Sequence, residues 1–483
     1  MDRLGHATAS AFSITRKIVR DGRCFNPILA YRVLFLFCML YLTDASILAF
    51  RNDEVCHQPD FLRFRAWPNR RGRSIQAGAA TPFPQKPSST SSITSHSAAE
   101  SAVPMRLALA GYPRIKLEKP FGRQMRSEDS MDVSEIIIPG DTPGTQWRLP
   151  VLRFAGRDPK APNIYIQAAL HAGELPGTAL LHFLCERLRQ AEDQGGILGD
   201  VTIVPQANPI GAAQSHFGDL QGRFDLGSRT NFNRDFPLIS IADRMMLIDD
   251  LDDYPATERL KRQLLHMALG ADLVLDLHCD DESLQYAYID EAFWPEAADL
   301  AAALDMQAVL LSDGESSAFE EAVGFARKYE IPGERQSRLP GKLSVTVELR
   351  GKRDVDPVLA KQDAEGLWRF LVARGIVRDE AVTTAAFAGP AVPLDNVEII
   401  RAPEGGAVLF HRTIGDRVAE GELLATIVTR PGQPDGSIDL HAPQDGLVLT
   451  RTSDRLVRRR GDLMKIVGAK PSKAERKAGT LES

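Results

Sequence analysis

The sequence predicts an α/β protein whose sheet is covered by helices, followed by a small β-sandwich or barrel. Three observations predict it. From about residue 132, short apolar runs alternate with segments of helical period, the pattern of a sheet buried under helices. Residues 401–428 align with 441–468 at an offset of 40, an internal repeat of strands and glycine turns. The first 131 residues share neither pattern. The boundaries that follow are an N-terminal extension over 1–131, an α/β domain over 132–390, a β module over 391–470 and a tail over 471–483.

Composition sets the outer limits. A chain of 483 residues is about three times a ~150-residue domain, which suits two domains plus extensions. Hydrophobic residues make up 43% and charged residues 25%, as in soluble globular proteins. The net charge of −6 excludes a general nucleic-acid binder. Of 5 cysteines only Cys185 and Cys279 fall in the globular part. A disulfide scaffold is excluded, and a reducing, cytoplasmic location is expected.

The N-terminal extension admits two readings. A basic stretch over 1–32 precedes the apolar run 33–43 (VLFLFCMLYLT), and apolar character resumes to Phe50. That order suits a signal peptide or a membrane anchor at 33–50. Against it, the uninterrupted run is shorter than the ~20 residues a span needs, and Asp44 near its centre would cost ~3 kcal/mol. Residues 75–104 are rich in Ser, Thr, Pro and Ala and cannot order themselves. The other reading is a true start at Met105, Met125 or Met131.

Strands are expected in DVSEIIIPG and QWRLPVLRFAG, then over Ile164–Leu170, Val201–Val204, Leu273–Leu277 and Leu343–Leu349. Helices are expected over Glu174–Gln190, where Leu180, Leu181, Leu184 and Leu188 share a face, and over Ala256–Leu269. In α/β sheets, ligand sites gather at the carboxyl ends of the strands.

Those ends carry candidate chemistry. His171 and Glu174 follow the 164–170 run directly. An H-x-x-[DE] pair is expected about once by chance with 10 histidines and 64 acidic residues, so position is what matters. His278 ends a second buried run, in VLDLH. Two imidazoles and one carboxylate leave a Zn²⁺ site open for water, the catalytic pattern. Glu348 ends a third run and offers a general base. Asn233 and Arg234, in NFNRDFP, can clamp a carboxylate. Cys279 reads as packing, and His182, His216 and His266 as ordinary surface or interface residues. Asp280-Asp281-Glu282 reads as a solvated loop.

The ordered set H-x-x-E, N-x-N-R-x-F-P, D-L-H and a strand ending V-E resembles the succinylglutamate desuccinylase/aspartoacylase family, over roughly residues 132–470. The resemblance implies a zinc carboxypeptidase-like mixed sheet with flanking helices. It implies a zinc-dependent deacylase acting on a small N-acylated, carboxylate-bearing substrate, with one Zn²⁺ per chain. It makes His171, Glu174 and His278 the metal ligands, Glu348 the catalytic carboxylate, and Asn233 and Arg234 the carboxylate-binding pair. Arg223 matches an arginine used near the scissile carbonyl, with Arg229 as a competitor for that role. Phe232 stands where the family usually has Leu. A carboxypeptidase or esterase on the same scaffold is the alternative, and a non-catalytic binding protein is the alternative from another class.

The C-terminal repeat matches Pro403 with Pro443, Gly406 with Gly446 and Gly421-Glu422-Leu423 with Gly461-Asp462-Leu463. It is similar to the biotinyl/lipoyl carrier fold. The linker Thr429–Leu440 has no lysine, so a carrier role is not expected.

Overall fold

The computed structural model describes residues 131–313, 316–330, 334–379 and 385–473. The apolar segment at 33–50 and the alternative starts at Met105 and Met125 lie outside these residues. Among the described residues no helix is long and apolar enough to cross a membrane.

The catalytic half begins with strands β1 (Asp132–Pro139), β2 (Gln146–Phe154) and β3 (Ile164–Ala168), then helix α1 (Pro176–Asp193) and β4 (Val201–Val204). A short helix α2 (Pro209–Ala212) and a hairpin of β5 (Ser215–His216) and β6 (Asp219–Leu220) lead to α3 (Ala256–Ala268). Next come β7 (Leu273–Asp280), β8 (Glu282–Ser283), β9 (Tyr286–Asp290), α4 (Ala298–Ala303), β10 (Ala308–Ser312), α5 (Phe319–Lys328), β11 (Leu343–Gly351), α6 (Pro357–Ala373) and β12 (Ala391–Pro393).

Nine strands form one mixed sheet in the order β1-β2-β4-β3-β7-β11-β9-β10-β12. β3, β7 and β11 run parallel at its centre. They are buried on both faces, so they read as continuous apolar runs rather than alternating ones. One core holds Leu180, Leu181, Leu184 and Leu188 of α1 against Leu275, Leu277 and Val345. On the other face Leu260, Leu264 and Leu265 of α3 pack with Val274, Phe319 and Val323. The mixed, helix-flanked sheet expected from the sequence is therefore the observed one.

Two elements differ from their expected bounds for local reasons. The strand expected to reach Leu170 stops at Ala168, because Ala169 has φ +56°, a left-handed conformation that ends extended pairing. The helix expected from Glu174 starts at Pro176, the first-turn position that suits proline. Residues 169–175 thus become a turn on top of the sheet. Gly177 lets α1 sit close on it, since a Cβ there would lie 2.8 Å from Leu277 Cβ and 3.0 Å from Ala168 Cβ.

After β12 come β13 (Val397–Arg401), β14 (Gly406–Phe410), β15 (Arg417–Val418), β16 (Leu423–Val428), β17 (Ser437–His441), β18 (Gly446–Arg451), β19 (Leu456–Val457) and β20 (Asp462–Gly468). They make two antiparallel sheets, β13-β20-β18-β15 and β17-β16-β14-β19. Val408 and Ile427 from one share a core with Val448 and Ile466 from the other. The repeat glycines Gly406 and Gly446 occupy matching tight places. A Cβ on either would come within 2.5 Å of the opposed strand. β18 also pairs with β8 of the catalytic half.

Candidate metal centre and active site

The turn at residues 171–174 is closed by the Glu174 N–H donating to His171 O at 2.9 Å. It presents both side chains toward His278, near the end of β7. All three are buried, at 4%, 2% and 3% exposure. Glu174 Oε1 lies 3.0 Å from His171 Nδ1, and Oε2 lies 2.8 Å from His278 Nδ1. One ligand atom from each falls within 4.8 Å of the others.

The hydrogen bonds behind the imidazoles decide what this set can hold. Asn231 Oδ1 accepts the Asn233 N–H at 2.8 Å, which fixes that atom as the oxygen. It lies 2.8 Å from His171 Nε2, so Nε2 must carry the proton. Asp276 Oδ2 likewise accepts from His278 Nε2 at 2.9 Å. When neutral, both imidazoles therefore turn Nδ1 lone pairs toward the two oxygens of Glu174. A metal ion, or a proton on Nδ1, satisfies the three groups together. Two nitrogens and a carboxylate, each held from behind, are donors suited to Zn²⁺.

The charges agree. Burial opposes ionisation of Glu174, but the two imidazoles outweigh it and hold its carboxyl well below the usual range. Burial pulls His171 below its usual value against the attraction of Glu174. Burial acts in the same direction on His278, but Asp276 and Glu174 override it and raise it well above the usual value. Arg223 reaches the same point, with Nη1 3.2 Å from both His171 Nδ1 and Glu174 Oε1. Gly222 permits this approach, because a Cβ there would lie 2.7 Å from Ala172 Cβ.

Glu348 lies beside His278 in parallel register. Burial pushes its carboxyl up to about 8, helped by Glu174 and Asp280 and opposed by His278 and Lys465. Among the described residues its Oε2 is buried without a hydrogen-bond partner. Arg350, the nearest candidate cation in sequence, pairs with Asp363 instead.

A cavity of about 400 Å³ joins these groups, and all seven residues singled out from the sequence line it. Their freedom differs. Asn233 accepts the Phe319 N–H on Oδ1 at 2.8 Å, and its Nδ2 lies 3.5 Å from His278 Nε2. Arg234 Nη1 donates to Asn233 O at 2.7 Å. Glu320 and Glu321, from the first turn of α5, also line the cavity, and nothing in the sequence pattern singles them out. Burial and Asp276 push Glu320 up to about 7, while burial and Glu320 push Glu321 up to about 8.

The acidic stretch after His278 is not a solvated loop. Lys465 Nζ lies 2.7 Å from Asp280 Oδ2, Lys352 Nζ lies 2.6 Å from Asp281 Oδ1, and Arg451 and Arg455 both pair with Glu282. The Asp281–Lys352 pair stays within the α/β half, while Glu282 and Asp280 tie that half to Arg451 of β18 and Lys465 of β20, and Thr450, Met464 and Lys465 line the cavity. Cys279 is buried, and its N–H donates to Glu174 Oε2 at 3.3 Å, in keeping with a packing role.

Residues 160–374 match the family described as the succinylglutamate desuccinylase/aspartoacylase catalytic domain. No curated protein matches the chain. Among solved structures, a succinylglutamate desuccinylase/aspartoacylase family protein from Shewanella amazonensis SB2B is similar at 25% identity. The match covers 70% of this chain and 99% of that one, with a TM-score of 0.62. A protein of the same description from Shewanella frigidimarina NCIMB 400 matches at 24% identity over 71% and 100%, also with a TM-score of 0.62. The ectoine utilization protein EutE (DoeB) from Ruegeria pomeroyi shares the fold at 19% identity over 70% and 96%, with a TM-score of 0.55. The resemblance read from the sequence therefore holds: residues 160–374 carry the catalytic-domain pattern of the succinylglutamate desuccinylase/aspartoacylase family, on the fold of its solved members.

Proposed function

We propose that the protein is a zinc-dependent deacylase that hydrolyses the amide of a small N-acylated, carboxylate-bearing amino acid or related compound. The observation that carries this reading is the convergence of two imidazole Nδ1 atoms and one carboxylate beside a buried Glu348 oxygen that has no partner among the described residues. His171, Glu174 and His278 would hold the metal. Bound there, zinc supplies Lewis acidity toward an acyl carbonyl and makes water a stronger acid near neutral pH.

The rest falls to the chain's own residues. Glu348 takes a proton from the attacking water on Oε2 and returns it to the departing amine. A carboxyl with a raised pKa suits both halves of that task, since it accepts and releases protons near neutrality. Arg223 faces the reacting carbonyl and stabilises the negative charge that develops on its oxygen. The Asn233 amide and the Arg234 guanidinium take the substrate carboxylate. The bond from Arg234 to Asn233 O uses one N–H and leaves others for a bidentate contact.

The test is metal analysis of the purified chain, then a screen of N-acetyl and N-succinyl amino acids against dipeptides and esters. About one zinc per chain and turnover of an N-acyl amino acid are expected. Hydrolysis of dipeptides alone would move the assignment to a carboxypeptidase. Arg234→Ala should reduce kcat/KM for the carboxylate substrate ~10²-fold more than for its matched amide, because a charge-assisted pair is lost only with the former. Equal losses would make Arg234 structural.

A further inference from the structure

One side chain interrupts the apolar run of β3. Gln167 lies within a strand whose five residues are all buried, and it is itself fully buried. An amide survives in such a place only where its hydrogen bonds are met. Here two other fully buried polar side chains meet them. Tyr165, on the same face two residues earlier, donates from its hydroxyl to Gln167 Oε1 at 2.8 Å. Gln167 Nε2 donates to Asp276 Oδ1 at 3.0 Å. Gln167 and Asp276 are register partners between β3 and β7. Asp276 Oδ2 then accepts from His278 Nε2 at 2.9 Å.

The chain has one direction. The carboxylate accepts at both ends, so the hydroxyl and the amide must donate toward it. Burial and the Asp276 charge keep the Tyr165 phenol protonated, well above its usual range. With one oxygen pinned by Gln167, the other cannot rotate away from His278. That keeps the His278 proton on Nε2 and its Nδ1 lone pair aimed at Glu174. We propose that Gln167, held in turn by Tyr165, is a positioning residue for His278 that acts through Asp276. The inference rests on the reading of His278 as a metal ligand.

The test measures zinc affinity of the full chain by competition with a chromophoric chelator, and separately the thermal unfolding of the metal-free protein. Gln167→Leu should weaken zinc binding ~10–100-fold, the usual cost of losing a group that orients a ligand. Tyr165→Phe, which keeps the ring packing, should weaken it by roughly severalfold. In an Asp276→Asn background the Gln167→Leu change should add less than about twofold, because groups acting through one another are not additive. Full additivity would overturn the proposal. So would unchanged zinc affinity in Gln167→Leu and Tyr165→Phe, even with lowered Tm. If Gln167→Leu does not fold, the same cycle run with Tyr165→Phe decides in the same way. A wild-type chain that takes up no zinc overturns the metal reading and this proposal together, whereas wild-type uptake with unaffected variants overturns the positioning alone.

Discussion

β7 and β11 are neighbours in parallel register, and His278 and Glu348 are partners across that pairing. Their ends are built in opposite ways. His278 is held from behind by Asp276 and met in front by Glu174. Glu348 keeps one buried oxygen with no partner among the described residues. A ligand must present a lone pair in a fixed direction, so the fold holds its other side. A base must take up a proton, so the fold leaves an atom open and raises its affinity by burial. On the proposed reading of His278 as a ligand and Glu348 as the base, two adjacent strands separate holding from reacting.

Substitution at each end tests that division. His171→Ala combined with His278→Ala should leave no stoichiometric zinc and no activity, as seen by metal analysis. Zinc retained at one per chain would remove the β7 end from the site. Glu348→Gln should keep zinc at the wild-type level and lower kcat by ~10²–10⁴. Loss of zinc in that variant would make the two ends alike, and near-normal kcat would place the base elsewhere.

The smallest effect is on the pH dependence of stability. In the metal-free protein Glu348 is raised to about 8 from an ordinary value of 4.5. Between those values the folded state binds more protons than the unfolded one, so stability falls as pH rises. The contribution is fully present below about 4.5 and lost through about 8. Glu348→Gln should flatten the fall seen in denaturant titrations. It should not abolish it, because Glu320 and Glu321 are raised in the same sense. An unchanged slope would mean that Glu348 titrates as an ordinary carboxyl.

Much of this was legible in the sequence because the central strands are buried on both faces. A polar residue closing a nearly unbroken apolar run, as His171, His278 and Glu348 do, is visible without a structure. Groups that act from behind were harder to see. Asn231 lies inside the NFNRDFP motif, yet its role depends on an imidazole 60 residues away. Asp276 and Gln167 read as minor breaks in apolar strands, and only the β3–β7 register shows that they meet. The acidic stretch at 280–282 was misread because its partners lie far along the chain. Arg451 is 169 residues from Glu282, and Lys465 is 185 from Asp280. The end of β3 was also hidden, since nothing in an alanine announces a positive φ at Ala169.

The pairing of Lys465 with Asp280 has a consequence for how the enzyme comes into being. The chain is made from its amino end, and β20 is the last strand of the described fold. The donors at 171, 174 and 278 leave the ribosome long before residue 465. Until that final strand docks, the cavity lacks a wall and Asp280 faces water. On the proposed reading, the nascent protein can therefore own its metal donors without owning its finished pocket, and β20, the last strand among the described residues, is the one that closes it.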